Sequence, residues 1–384
     1  MAVWRLGAAG LAAILVSIGL ARFAYTLLTP ALIAERWFSQ TEVFYLGATN
    51  FAGYFAGALF ARHLASRVST DVAIRLAIGT AAASFIACAW PAGFSWFFLW
   101  RLLSGVSGGA VMVLVTTTVL AHTPAHLRGR MSGTMFGGVG VGIALAGISV
   151  PILVRIGLTD AWLFLGGVAV ILALATWRSW PPDDPRPASR LFDTVNRGQI
   201  RGAVGLLIVA YAFDAVGFVP HTVFWIDYIA RGLDHGLTAG GAYWVLFGLG
   251  AAIGPPLAGM LADRLGIGRG LAIALFTKGA AVALPIVCND PICLALSSVV
   301  VGALTPGIPA LMSGRMLELL PPEDARRAWS WLTVTFATAQ AGAGYGLTYL
   351  FGLSGSYRLL FAIGGSSLAL AAVLAVISLL RGRP

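Results

Sequence analysis

Apolar runs long enough to cross a bilayer recur along nearly the whole of this chain, each closed by a short charged or glycine-rich turn. A spanning helix needs about 20 mainly apolar residues. Twelve segments qualify: residues 4–28, 41–61, 72–90, 94–120, 131–153, 161–177, 201–229, 240–262, 271–287, 292–313, 325–350 and 357–380. A transmembrane barrel would instead show segments about half as long with strict polar–apolar alternation. Only helices satisfy the backbone of runs like these. The expected fold class is therefore an all-α integral membrane protein. A large soluble core is excluded by the surface chemistry: 10% of residues are charged, where a soluble domain carries roughly a quarter.

The longest polar stretch lies between the sixth and seventh runs and contains Pro181-Pro182-Asp183-Asp184-Pro185. It divides the chain into an N-terminal bundle over residues 1–178, a cytoplasmic linker over 179–200 and a C-terminal bundle over 201–384. The net charge of +10 is almost all arginine, since Lys278 is the only lysine. With the N-terminus inside, Arg62, Arg67, Arg128, Arg130, Arg264 and Arg269 fall in inner segments, and only Arg36, Arg155 and Arg231 fall in outer ones, with Arg358 near the outer edge. This is the positive-inside pattern of a multi-pass protein of a bacterial cytoplasmic membrane with both termini cytoplasmic. The arginines are read as topology signals and not as a nucleic-acid footprint. The first run lacks a convincing cleavage site and is read as a retained helix.

The turn Gly259-Met-Leu-Ala-Asp263-Arg264-Leu-Gly266-Ile-Gly268-Arg269 cannot enter hydrocarbon, because its charges would sit there unpaired. An earlier junction, Gly57-Ala-Leu-Phe-Ala61-Arg62-His63-Leu-Ala-Ser-Arg67, repeats its Gly, Leu and Arg spacing. The pair suggests a duplicated membrane unit.

These two turns resemble the loop signatures between helices 2–3 and 8–9 of the major facilitator superfamily. Arg101-Leu-Leu-Ser-Gly105-Val-Ser-Gly108-Gly109 resembles the arginine–glycine motif of its helix 4. Gly19-Leu-Ala-Arg22-Phe23-Ala-Tyr25-Thr26 is similar to the YbfB/YjiJ-type branch. The resemblance covers essentially the whole chain. It implies a secondary transporter of twelve transmembrane helices in two pseudo-symmetric six-helix bundles, with helices 1, 4, 7 and 10 around a central cavity that opens to each side in turn. It also implies that Arg62, Asp263, Arg264 and Arg269 take part in gating, with Asp263 bracing a helix end and Arg264. Ala61 stands where the family pattern has an aspartate, so one half alone carries the strong version of that lock.

Polar residues inside the spans are the candidate site. Arg22 lies too deep in helix 1 to be an end marker, and an arginine there must face an interior or water. It offers a fork to an anionic substrate such as a carboxylate, or a partner for a protonatable acid; the bland alternatives are snorkelling and a tie between helices. Tyr25 follows one turn later, and Arg101 sits at similar depth in helix 4 as a substrate or coupling group. Asp214 and His221 stand seven residues apart in helix 7, on a stripe with Tyr211, Phe218 and Trp225. Asp214 is a proton-coupling candidate or the counter-charge of Arg22; His221 is a candidate for coupling and for substrate, and Trp225 for substrate. The alternative for this stripe is an internal hydrogen bond near Pro220. Asp227 is placed nearer solvent. Lys278 is read as peripheral, with a salt bridge inside the C-terminal half as its alternative, and Gln340 as a minor hydrogen-bonding group.

A glycine run at 137–147 vaguely resembles a proton-antiporter motif but lacks its proline. No Walker motif, His-Glu-x-x-His or Gly-x-Ser-x-Gly elbow occurs. ATP drive and enzymatic activity are therefore not expected, and no cofactor or metal is implied; His122 and His126 flank Pro124 in a loop. Cys288 and Cys293 form a disulfide in an oxidising compartment or remain two thiols near the interface. The expected function is proton-coupled transport, by alternating access, of a small organic anionic solute by a monomer embedded in lipid. Export of amphiphilic or aromatic compounds by proton antiport, and a non-transporting sensor with the same fold, are the alternatives.

Overall fold

In hydrocarbon a backbone amide finds no water, so each apolar run closes its hydrogen bonds within itself. The computed structural model describes residues 3–124, 127–182 and 202–381. Twelve helices follow one another: α1 Val3–Ala34, α2 Gln40–Val68, α3 Thr70–Ala87, α4 Phe94–Ala121, α5 Arg128–Leu153, α6 Leu158–Thr176, α7 Ala203–Gly232, α8 Gly236–Leu265, α9 Ile267–Ile286, α10 Pro291–Leu319, α11 Pro322–Ser354 and α12 Tyr357–Arg381. No strand occurs among the described residues. Most of the expected linker, residues 183–201, lies outside them, as does His126.

Eleven of the helices are long and apolar enough to span on composition alone. The twelfth, α11, is diluted by threonines and Gln340. Its hydroxyls are partly absorbed by its own backbone: Thr333 Oγ1 donates to the Trp329 carbonyl at 2.9 Å and Thr338 Oγ1 to that of Val334 at 2.8 Å. Several helices outrun their apolar cores, such as the 30 residues of α8. At 1.5 Å per residue such a helix exceeds a hydrocarbon layer of ~30 Å, so its charged end stands in the interface. Helix α1 does not stop before Pro30, as the sequence suggests, but runs through it to Ala34. A proline costs less in a membrane helix because neighbouring groups satisfy what it frees.

The helix ends are set by local chemistry. Ser39 and Glu42 form a capping box at the start of α2. Asp290 caps α10 by accepting from Ile292 N and Cys293 N, both at 3.0 Å, and Pro291 takes the first position. Between α9 and α10, Cys288 and Cys293 are disulfide-bonded. One residue with positive φ turns the chain at each of the two signature junctions: Ser69 at 84° and Gly266 at 82°.

The chain divides by contact into two units, Met1–Ala188 with Val223–Gly248, and Ser189–Thr222 with Leu249–Pro384. The end of α7 and the start of α8 thus group with the first six helices. Each unit contains a pair of helices in backbone contact. In the first, Gly53 and Gly57 of α2 face the Leu102 and Val106 carbonyls of α4, while Gly105 and Gly109 face those of Asn50 and Tyr54. In the second, Gly250 and Gly254 of α8 face the Val299 and Ala303 carbonyls of α10. A Cβ at any of these positions would overlap a carbonyl oxygen, and small residues are what allow such approach.

Gly105→Val should therefore abolish a monodisperse folded peak in detergent. Gly167→Val, where an added carbon meets nothing within 4 Å, should behave as wild type; fluorescence-detected size exclusion reads both.

Candidate functional site

Helix α1 is α-helical to Ile14, widens into a π-helical stretch over Leu15–Leu20 and resumes at Phe23. Such bulges gather at functional sites. Gly19 brings the widened turn close to α5; a Cβ there would lie 3.0 Å from the Gly138 carbonyl oxygen. The break interrupts the ladder at Ala21, and its carbonyl is taken by α4: Arg101 Nη1 donates to it at 2.7 Å.

Arg101 is buried, its guanidinium lying 4.1 Å from the centre of the Tyr25 ring. Tyr25 is fixed in turn, its hydroxyl donating to the Val43 carbonyl at 2.8 Å. Asn50 of α2 donates to Ser104 Oγ at 3.1 Å and to the Arg101 carbonyl at 3.4 Å. Among the described residues Arg101 has no carboxylate partner. It acts as a cap on the broken helix.

Arg22, the next residue after that carbonyl, is half-buried. Its guanidinium lies 4.6 Å from the Phe51 ring centre, 5.4 Å from that of Phe23 and 5.6 Å from that of Tyr54. Phe51 and Tyr54 belong to α2 and are buried, so Arg22 is turned towards the bundle. Two arginines of spanning helices are thus brought to one break, one holding backbone, the other lying over aromatic faces. Beyond Arg22, the Phe23 carbonyl accepts from Trp244 Nε1 at 3.1 Å.

Helix α7 has its own π-helical stretch at Pro220–Phe224, where proline lacks the N–H that an α-helix would use. The expected stripe along α7 meets several different helices. Tyr211 packs on Phe336 of α11 with ring centres 4.7 Å apart. Asp214 receives Lys278 Nζ of α9 at 2.7 Å, both side chains 1% exposed. Lys278 Nζ also lies 4.8 Å from the Phe218 ring centre. His221 Nε2 is 2.8 Å from Ser297 Oγ of α10, and that hydroxyl donates to the Ala281 carbonyl at 2.7 Å. The hydroxyl proton being used, the network assigns the imidazole proton to Nε2. Trp225 is fully buried beside Tyr228, ring centres 6.0 Å apart.

Asp227, expected near solvent, is fully buried. It accepts from Arg231 Nε at 2.6 Å and Gln40 Nε2 at 3.2 Å. At the signature turn, Asp263, Arg264 and Arg269 are exposed, and no ion pair joins them among the described residues. The implied brace of Asp263 on Arg264 is not made in this conformation; Arg62 is half-buried at the end of α2. Sequence reasoning undervalued Lys278, although a sole lysine inside an apolar run was the available signal. Asn50, Ser104 and Ser297 gave no signal, being small polar residues on helices full of them. Gln340 is fully buried, and neither amide atom has a hydrogen-bond partner among the described residues.

Residues 14–376 match the sequence family described as "uncharacterised MFS-type transporter YbfB". Two named relatives are similar at lower identity. The 4-hydroxybenzoate transporter PcaK of Acinetobacter baylyi is 25% identical over 157 residues, which is 41% of this chain and 34% of that protein. A gallate transporter of Pseudomonas putida is 25% identical over an alignment covering 85% of this chain and 83% of that protein.

A charge-assisted hydrogen bond contributes ~1.5–3 kcal/mol, and ~1 kcal/mol moves Tm by roughly 2–4 °C in a chain of ~150–250 residues or more. Arg101→Ala should therefore lower Tm by roughly 3–12 °C in differential scanning fluorimetry. Tyr25→Phe, which keeps the ring under the guanidinium, should cost about a third of that.

Proposed function

The chain belongs to the family of MFS-type transporters described by YbfB, and on that premise we propose that it carries a small organic anion, an aromatic carboxylate, together with a proton. It is a multi-pass membrane transporter of the major facilitator type. The observation that carries the finer reading is Arg22: a half-buried side chain inside a spanning helix, its guanidinium set over the Phe51 and Tyr54 rings with Nε and Nη2 buried. A fixed planar cation selects a carboxylate by two parallel hydrogen bonds. Aromatic faces beside it favour a solute that carries a ring. The names of the two relatives, transporters of 4-hydroxybenzoate and gallate, describe solutes of that kind.

In this reading Arg101 does not leave its carbonyl to meet substrate. It holds the break in α1, and so presents Arg22 at a fixed height. Tyr25 braces Arg101. Asp214 and His221 supply proton exchange in the C-terminal half, and Trp225, buried in this conformation, comes to the solute only as α7 rearranges. Alternating access then moves the loaded protein between its two open forms, with Arg62, Asp263, Arg264 and Arg269 making and breaking contacts at the signature turns. The arginine bias supports a reading with both termini on the cytoplasmic side of a bacterial membrane. No cofactor enters the cycle, and one chain suffices for it.

Purified protein in liposomes should accumulate labelled 4-hydroxybenzoate when the lumen is made alkaline. Arg22→Ala should reduce the initial rate at least tenfold, the loss expected when a charge-assisted contact of ~1.5–3 kcal/mol is removed. Arg22→Lys should restore part of it, and the uncharged amide analogue should not be taken up. Equal rates for wild type and Arg22→Ala would refute the anion site. Binding without flux would favour a sensor.

A further inference from the structure

Lys278 is the only lysine among 25 cationic side chains, and it is one of the most deeply buried charges in the protein. Its ammonium has three protons to donate, yet one hydrogen bond, to Asp214 Oδ1, and one aromatic face, Phe218, are its contacts among the described residues. A buried ion pair stabilises only when its remaining donors and acceptors are also satisfied; otherwise an apolar pair of the same size does as well or better. This pair, held by a single contact in a spanning segment, is a poor structural device. Ionisable groups in that position are kept for what they do.

The other charges on the surrounding helices stand far along them. On α9 it is Arg269, in the first turn. On α10, Arg315 is paired with Glu318 at the end of the helix, and on α12 they are Arg358 and Arg381 at the two ends. On α11 the charged residues are Glu323, Asp324, Arg326 and Arg327, all near its start. On α7, Tyr211 stands one turn before Asp214 and packs on Phe336, and His221 lies within electrostatic reach of Lys278 but is hydrogen-bonded to Ser297. Among the described residues no second cation is paired with Asp214, so the partner that competes with Lys278 for it is a proton.

We propose that Asp214 and Lys278 form the proton-exchange pair of the transporter, with Lys278 as the counter-charge that Asp214 releases when it is protonated. The inference rests on the proton-coupled reading above and deepens it. The conformation described is the unprotonated one, net charge zero at the pair. A proton taken from water on one side converts the carboxylate to the acid and leaves the pair at +1; its release to water on the other side restores the ion pair. An anion of charge −1 bound at Arg22 offsets that gain. With both on board the interior carries the same net charge as when empty, because the anion neutralises Arg22 while the proton leaves Lys278 without its counter-charge. This is a physical reason for the two to travel as one load. A compact ammonium suits the role, because it holds by a point contact. An arginine fork would seek two.

The sole lysine makes the test direct. Protein labelled with 15N-lysine carries a single side-chain signal, and it reports Lys278 without assignment mutants. In liposomes, acidification from about pH 8 to about pH 5, spanning the ordinary histidine and carboxylate ranges, should move this signal. In Asp214→Asn it should not move. A wild-type signal constant across that range overturns the inference, whatever solute is carried. A second arm uses Asp214→Asn/Lys278→Gln, which removes both charges and leaves neither stranded. It should exchange 4-hydroxybenzoate across the membrane, while gradient-driven accumulation falls at least tenfold. Accumulation equal to wild type by the double variant overturns the pair and leaves the transport reading intact. Failure of wild type itself to respond to a pH gradient removes the coupling reading and the pair together.

Discussion

The carbonyl of Ala21 is the point on which the N-terminal unit depends. Hydrocarbon offers nothing to an unsatisfied carbonyl, and a widened turn in α1 leaves this one outside the helical ladder. Arg101 reaches it from α4 at 2.7 Å, with its guanidinium 4.1 Å from the centre of the Tyr25 ring. The same contact joins α1 to α4, fixes the direction in which the chain leaves the break, and sets the next residue, Arg22, on its aromatic bed. A charge that would be a liability in a bilayer thus becomes part of the backbone's own bonding. The less buried arginine beside it, Arg22, lies against the Phe51 and Tyr54 rings.

The two halves repeat this logic with different residues. Both carry a π-helical stretch near the middle of their first helix, at Leu15–Leu20 and at Pro220–Phe224. In the first half a glycine-packed bulge does it; in the second, a proline. Both turn between their second and third helices on one residue of positive φ, Ser69 or Gly266. The two halves share this backbone geometry and differ in the side chains that produce it. The N-terminal half holds arginines without a carboxylate for Arg101, and the C-terminal half holds a neutral, closed pair.

Much of the architecture was legible in the sequence because a membrane helix announces itself by length and composition. The twelve runs and the glycine motif of α4 could be read directly. Less visible was anything that depends on which neighbour a side chain meets. The stripe Tyr211, Asp214, His221 looked like one face, yet its members meet α11, α9 and α10 respectively. Lys278 was discounted for sitting on a helix taken as peripheral, although a charge buried there needs a partner, and Asp214 supplies it. Pro30 looked like a stop and was not, and Asp227 looked solvated and is buried, because tertiary packing supplied what local chemistry lacked.

The glycine contacts of α2 with α4, and of α8 with α10, carry a mechanical consequence. Where a carbonyl oxygen occupies the place of a missing side chain, a slip of one helix along the other by a residue would bring a Cβ against it, since the positions beside Gly53 and Gly105 are Ala52, Tyr54, Ser104 and Val106. Each pair behaves as a single wide plank with no internal shear. Any shape change within a unit is thereby steered away from these seams and into the irregular turns of α1 and α7, where the spiral is already loosened.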